Sequence, residues 1–157
     1  MCTGLVLVPD GQSGQPFRVC QNIVPVNKRT PEHQQVMNEC LRVLGRMQRR
    51  KFASLLDLKA GFHNIPFEET SSFYATFICH KGKFRWKRMP FGLTQAPGHF
   101  QRVMEDIIHG ADFHGNPQKP IECEIFLDDI TVTNSQDNVE SVLDATYDVI
   151  LRLTSAG

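Results

Sequence analysis

The chain lacks a CxxC pair, a long apolar run and a net charge, and each absence bears on what it does. Its five cysteines (Cys2, Cys20, Cys40, Cys79, Cys123) are odd in number and widely spread. Neither a disulfide framework nor a zinc knuckle is expected, and a reduced, intracellular protein is. No stretch approaches the 18 or more apolar residues of a membrane span, and the start, MCTGLVLVPDGQ, has no basic flank or small-residue cleavage pattern, so no membrane partner is expected. No internal repeat, low-complexity tract or linker longer than a turn interrupts the 157 residues, which suffice for one compact unit with a real core.

A net charge of zero argues against a nucleic-acid partner until the charges are located. Residues 1–104 carry 15 Lys/Arg against 6 Asp/Glu, and residues 105–157 carry 2 against 11. The zero is therefore a basic stretch and an acidic one of equal and opposite net charge. Two basic clusters stand out: Arg42, Arg46, Arg49, Arg50 and Lys51, then Lys81, Lys83, Arg85, Lys87 and Arg88, the second interleaved with Phe84 and Trp86. Such clusters either track a phosphate backbone, with aromatics for stacking, or form solvated faces.

Residues 4–8 and 17–24 flank the turn-rich DGQSGQP and predict a hairpin. Thr30-Pro31-Glu32 predicts a helix start, and Val36, Met37, Cys40, Leu41, Val43, Leu44 and Met47 repeat with helical period. A short strand is expected at 52–58, with a bend at Gly61, and a second hairpin over 73–78 and 83–87. A helix from about Ala96 to Ile108 precedes two strands, IECEIF and ITVT, which bracket Asp128-Asp129, and a last helix is expected from about Asn138 to Leu153. Without the second hairpin, the order from residue 52 is strand, helix, strand, strand, helix. This α+β order is the split βαβ, ferredoxin-like arrangement lacking its last strand.

Adjacent aspartates in a tight turn repel each other, and a cation relieves that repulsion. In the split βαβ order the first strand lies beside the later hairpin, so Asp57 converges on Asp128. Hard carboxylate oxygens suit Mg²⁺, with remaining positions left to water and substrate phosphates. Two such ions about 3.5–4 Å apart serve in-line phosphoryl displacement, which suggests nucleotidyl transfer. The competing readings are a solvated turn for Asp128-Asp129 and a cap for Asp57. A calcium loop is disfavoured, because D-x-[DN]-x-[DN]-G is missing. Phe62 fits either a core position or a planar wall beside a nucleotide sugar, one that blocks a 2′-hydroxyl.

Four segments together resemble the reverse transcriptases of gypsy-type long-terminal-repeat retrotransposons: Phe17-Arg18-Val19-Cys20 leading to Asn27-Lys28, SLLDLKAGFHNIP (54–66), RMPFGLTQAPGHFQRVM (88–104) and FLDDI (126–130). The resemblance implies a polymerase palm plus a fingers subdomain, with fingers at about 1–50 and 67–90, palm at about 51–66 and 91–157, and the thumb absent. It implies RNA-directed DNA polymerase chemistry that adds dNTPs to a primer 3′-hydroxyl on an RNA or DNA template. The cofactors implied are two Mg²⁺ (or Mn²⁺) ions on Asp57, Asp128 and Asp129. Arg18, Leu58, Phe62 and Phe91 fall at nucleotide-binding positions, Arg18 toward the triphosphate and Phe62 as the sugar gate. The partners implied are template with primer, and the thumb and RNase H regions of a parent polyprotein. The location implied is cytoplasmic, in a retroelement particle, or nuclear.

The chain also departs from the family pattern. Phe126 stands where tyrosine is usual, Asn22 and Val24 replace an acid and an arginine, and Arg18 is the lone cation among the first 27 residues. A second function therefore stands beside the first: a catalytically inactive, truncated or domesticated domain that retains nucleic-acid or protein binding.

Overall fold

The computed structural model describes residues 2–9, 16–31, 45, 50–111 and 115–156, with the side chain of Arg18 not included. Apart from Thr30, Pro31 and Gly45, the helix expected from Thr30 to Met47, and with it Arg42, Arg46 and Arg49, lies outside the described residues. By compactness the chain divides into two units, 1–34 with 62–97 and 35–61 with 98–157.

The second unit is built on a three-stranded antiparallel sheet of β4 (Ser54–Asp57), β8 (Asp129–Val132) and β7 (Cys123–Phe126), in the order β4-β8-β7. This is the order the split βαβ arrangement requires. Alternation decides which face is buried: Ile125, Ile130 and Val132 lie in the core, whereas Leu55 and Asp57 stand exposed on the other face. Burying each large aliphatic side chain stabilises the fold by roughly 1.5–3 kcal/mol.

Two helices supply the core's other half. Ala96, Phe100, Met104 and Ile108, spaced four apart, form the buried stripe of α3 (Ala96–His109). Pro97 sits in its first turn, where a missing N–H costs nothing. At its other end the Ile108 carbonyl, in the last turn, accepts from the Arg152 guanidinium, which also donates to Lys119 O at 2.6 Å. The last helix, α4 (Val139–Ala156), is capped by Asn138 Oδ1, which accepts Ser141 N–H at 2.8 Å, and it buries Val142, Thr146 and Val149. Among the described residues no helix is long and apolar enough to cross a membrane.

The first unit holds an antiparallel ribbon of β2 (Leu5–Pro9) and β3 (Phe17–Gln21), and a sheet ordered β1-β5-β6, in which β1 (Cys2–Thr3) pairs parallel with β5 (Thr76–Cys79) and β6 (Gly82–Phe84) closes a hairpin. Three expectations need correction here. The strand read as 17–24 stops at Gln21, because Pro25 fixes the start of a one-turn helix, α1 (Val24–Asn27). The strand read as 73–78 starts at Thr76, because Glu69–Ser72 forms a one-turn helix, α2, closed by Ser72 Oγ–H donating to Glu69 O, and Thr76 Oγ–H, just beyond it, donates to Phe73 O, both at 2.7 Å. Its partner, read as 83–87, ends at Phe84.

Candidate active site

A two-residue connection, Leu127-Asp128, joins β7 to β8, because Phe126 and Asp129 are register partners at its base. Leu127 has φ 54°, in the left-handed region that a leucine enters at a cost of about 1–2 kcal/mol. Glycine is the usual residue at a hairpin position of this kind. Gln101, on α3 and 3% exposed, holds the leucine there, its Oε1 accepting Leu127 N–H at 2.9 Å and its Nε2 donating to Ile125 O at 2.8 Å. On the other side, Leu58 N–H donates to Asp128 O at 2.9 Å. The turn is thus fastened to α3 and to the residue that follows Asp57.

This fastening gathers charge of one sign. Asp57 and Asp129 are register partners across β4 and β8, and Asp128 lies one residue away. Burial first, then the charges of Asp57 and Asp129, push the Asp128 carboxyl above its ordinary range. Its Oδ1 is sealed from solvent and, among the described residues, has no hydrogen-bond partner. Gly61 packs close against it: a Cβ there would lie 2.8 Å from Asp128 Oδ1 and 2.7 Å from Phe100 Cζ.

A sealed, partnerless carboxylate oxygen flanked by two more carboxylates is a donor set suited to a hard divalent cation. Among the described residues no three His, Cys, Asp or Glu side chains form a ready-made metal cluster. Mg²⁺ does not require one, since it takes one or two carboxylates and completes its shell with water and substrate phosphates. The residues present therefore fit such an ion.

The other expected site residues lie in the first unit. Phe62 and Phe91 are in ring contact, centroids 5.5 Å apart, and His63 packs edge-on to Phe91 at 4.5 Å and parallel to Trp86 at 5.9 Å. His63 Nδ1–H donates to Met89 O at 3.1 Å. The turn carrying Phe91 and Gly92 (φ 90°) is fixed by Asn27, whose Nδ2 donates to Gly92 O at 2.7 Å and whose Oδ1 accepts Thr94 N–H at 3.1 Å. Trp86 Nε1–H donates to Gln21 Oε1 at 2.6 Å. Arg18 sits in β3, opposite Val8. Lys81, Lys83, Arg85, Lys87 and Arg88 are all exposed.

One unit thus holds Asp57, Leu58, Asp128 and Asp129 together, and the other holds Arg18, Phe62 and Phe91. Sequence reasoning missed Gln101, Gly61, Asn27 and His63. A glutamine on the helix's buried side, immediately after Phe100, was the available signal for the first of them.

The split-βαβ sheet with an acidic hairpin turn has the architecture of a polymerase palm. The family model for reverse transcriptase (RNA-dependent DNA polymerase) matches residues 16–156, and the chain belongs to that family. It is 31% identical over 120 residues to the enzymatic polyprotein of Figwort mosaic virus, covering 76% of this chain and 17% of that one. Drosophila melanogaster supplies two more relatives: the Pol polyprotein of transposon 297, 30% identical over 79% of this chain and 11% of that one, and that of transposon gypsy, 28% identical over 82% and 12%. The chain therefore spans less than a fifth of these relatives' lengths. Among solved structures, the foamy viral protease-reverse transcriptase in complex with double-stranded DNA superposes with a TM-score of 0.80 at 24% identity, covering all of this chain and 25% of that one. At that identity the likeness establishes the fold: α+β, with the elements of a reverse transcriptase's fingers and palm.

Proposed function

We propose that this chain forms the fingers and palm of an RNA-directed DNA polymerase, with Asp57, Asp128 and Asp129 as the carboxylates that hold two Mg²⁺ or Mn²⁺ ions. The observation that carries the reading is the sealed, partnerless Oδ1 of Asp128 between two further carboxylates, in a member of this family. When bound, such ions stabilise the charge on the attacking and leaving oxygens of a phosphoryl displacement.

The bond that forms joins the primer 3′-oxygen to the α-phosphorus of a dNTP. The bond that breaks joins that phosphorus to the bridging oxygen, so pyrophosphate leaves and the hydroxyl proton is lost. The chain's own part is positioning and electrostatics. Phe62, braced by Phe91, is the wall that excludes a 2′-hydroxyl. Arg18 supplies a guanidinium of permanent charge for the triphosphate, and Leu58 lies beside the acidic turn. The exposed cations of 81–88 face the phosphate backbone of template and primer. The rest of a parent polyprotein, including thumb and RNase H regions, completes the grip, and the working location is intracellular.

Primer extension on an RNA template with Mg²⁺ or Mn²⁺, together with Mn²⁺ titration by electron paramagnetic resonance, tests the reading on the chain and its Asp128→Asn variant. Loss of incorporation and of ion binding in the variant is expected. Equal incorporation or equal Mn²⁺ affinity in the two proteins overturns the metal site. Phe62→Ala is expected to raise ribonucleotide incorporation, and no rise overturns the gate.

A further inference from the structure

The side-chain amide of Gln101 makes three hydrogen bonds, and the third fixes which way round it sits. Besides donating to Ile125 O, its Nε2 donates to Glu105 Oε1 at 2.9 Å, one turn further along α3. A carboxylate only accepts, and so does a carbonyl, so both must face the NH₂ end of the amide. The C=O end is left for Leu127 N–H, at 2.9 Å. Turning the amide over would face oxygen against two acceptors and NH₂ against a donor, and all three bonds would be lost together.

We propose that Glu105 and Gln101 form a two-step relay that sets the position of Asp128, with Gln101 the positioning residue and Glu105 its orienting partner. The proposal deepens the polymerase reading and rests on Asp128 being an ion ligand. Leu127 holds a left-handed conformation unfavourable for leucine, and Gln101 Oε1 accepts its N–H. The peptide that leaves Leu127 leads directly into Asp128, whose own carbonyl is fastened to Leu58. Without the glutamine the turn is held on one side only. The relay then lies one shell outside the carboxylates, where loss of a supporting hydrogen bond weakens metal binding without removing a ligand.

The test compares the whole chain with Gln101→Met, Glu105→Leu, Glu105→Gln and Asp128→Asn, using Mn²⁺ titration and amide hydrogen exchange at Leu127. Gln101→Met is expected to lose Leu127 protection and to weaken Mn²⁺ binding by roughly tenfold or more. Glu105→Leu should weaken it by a smaller factor, and Glu105→Gln, whose amide oxygen still accepts from Gln101, should restore it. Protection of the Val149 amide reports that each variant stays folded. If Gln101→Met does not fold, Glu105→Leu decides, because its half-buried site tolerates the change. Parental Mn²⁺ affinity in Glu105→Leu, or in a folded Gln101→Met, overturns the relay while Asp128→Asn still loses the ion. Parental affinity in Asp128→Asn overturns the polymerase reading beneath it.

Discussion

Asp57 and Asp129 are direct partners in the β4–β8 register, so two carboxylates stand opposite each other on neighbouring strands. Like charges so placed are destabilising, and Asp128 adds a third beside them. Because the folded protein holds the Asp128 carboxyl above its ordinary value of 3.8, the folded state binds that proton more tightly than the unfolded one. Its contribution to stability is complete below that ordinary value and is lost as pH rises through the elevated one.

The metal-free protein is therefore stabilised by removing this charge. In EDTA at pH 7, Asp128→Asn is expected to melt at a higher temperature than the parent, and at pH 3 the difference should vanish. Thermal melts followed by circular dichroism at the two pH values check this. A lower melting temperature for the variant at pH 7 would contradict the account from burial and like charge.

Gly61 is required for its lack of volume. Its backbone is not left-handed, unlike Gly82 and Gly92, with φ of 121° and 90°. A methyl group there meets Phe100, which is 2% exposed and cannot swing away, and Asp128 Oδ1. Gly61→Ala should cost about 1–3 kcal/mol in urea denaturation, the usual range for overpacking a core. Gly92→Ala, with nothing within 4 Å of its Cβ, loses stability through backbone conformation alone. Unchanged stability in Gly61→Ala would show that Phe100 or the turn gives way.

The convergence of Asp57 on Asp128-Asp129 was legible in the sequence, because strand order and a two-residue turn between apolar strands suffice to specify it. Phe62 and Phe91 were each legible as candidates, but their ring contact was not. The fastening of the acidic turn was illegible for a physical reason. Gln101 acts on a backbone 24 and 26 residues away, and no local propensity encodes a side-chain amide bonding to a distant strand. Similarly, the parallel pairing of Cys2 and Thr3 with Thr76 and Phe77 depends on a partner more than 70 residues distant, and two residues carry no period. The helix at Glu69–Ser72 was hidden because its hydroxyls close a single turn too short to show a stripe.

Cys123 is expected to be inert. Burial first, then the neighbouring charge of Glu124, outweigh the lowering effect of Arg152 and push its thiol up to about 11 from 9.0. The reactive species is the thiolate, so near pH 8 native Cys123 should alkylate roughly 100-fold more slowly than in the urea-unfolded chain. Peptide-resolved iodoacetamide labelling measures the ratio. The sign for stability follows: the raised value contributes fully below about 9 and is lost toward 11. Comparable labelling rates in the native and unfolded chains would mean that the site opens readily.

Gln21 ties the first unit together, and its loss should be felt well beyond β3. Its Nε2 donates to Thr3 Oγ1 at 2.6 Å, with Ala75 O and Thr76 O at 3.2 and 3.3 Å, and its Oε1 accepts from Trp86 Nε1. One amide thus links β1, the start of β5 and the ring that stacks on His63. Gln21→Met keeps the volume and strands these partners without hydrogen bonds in a half-buried place, at a cost of about 1–3 kcal/mol for an unsatisfied group. Trp86 is the sole tryptophan, so its fluorescence reports on this contact directly. Urea titrations followed at the indole should move to a lower midpoint in Gln21→Met, and an emission maximum altered before unfolding begins would register the lost bond. Trp86→Phe, which leaves Gln21 Oε1 without its donor, should lower stability in the same sense when followed by circular dichroism. Were Gln21→Met as stable as the parent with unshifted emission, the amide would not be the tie between these elements.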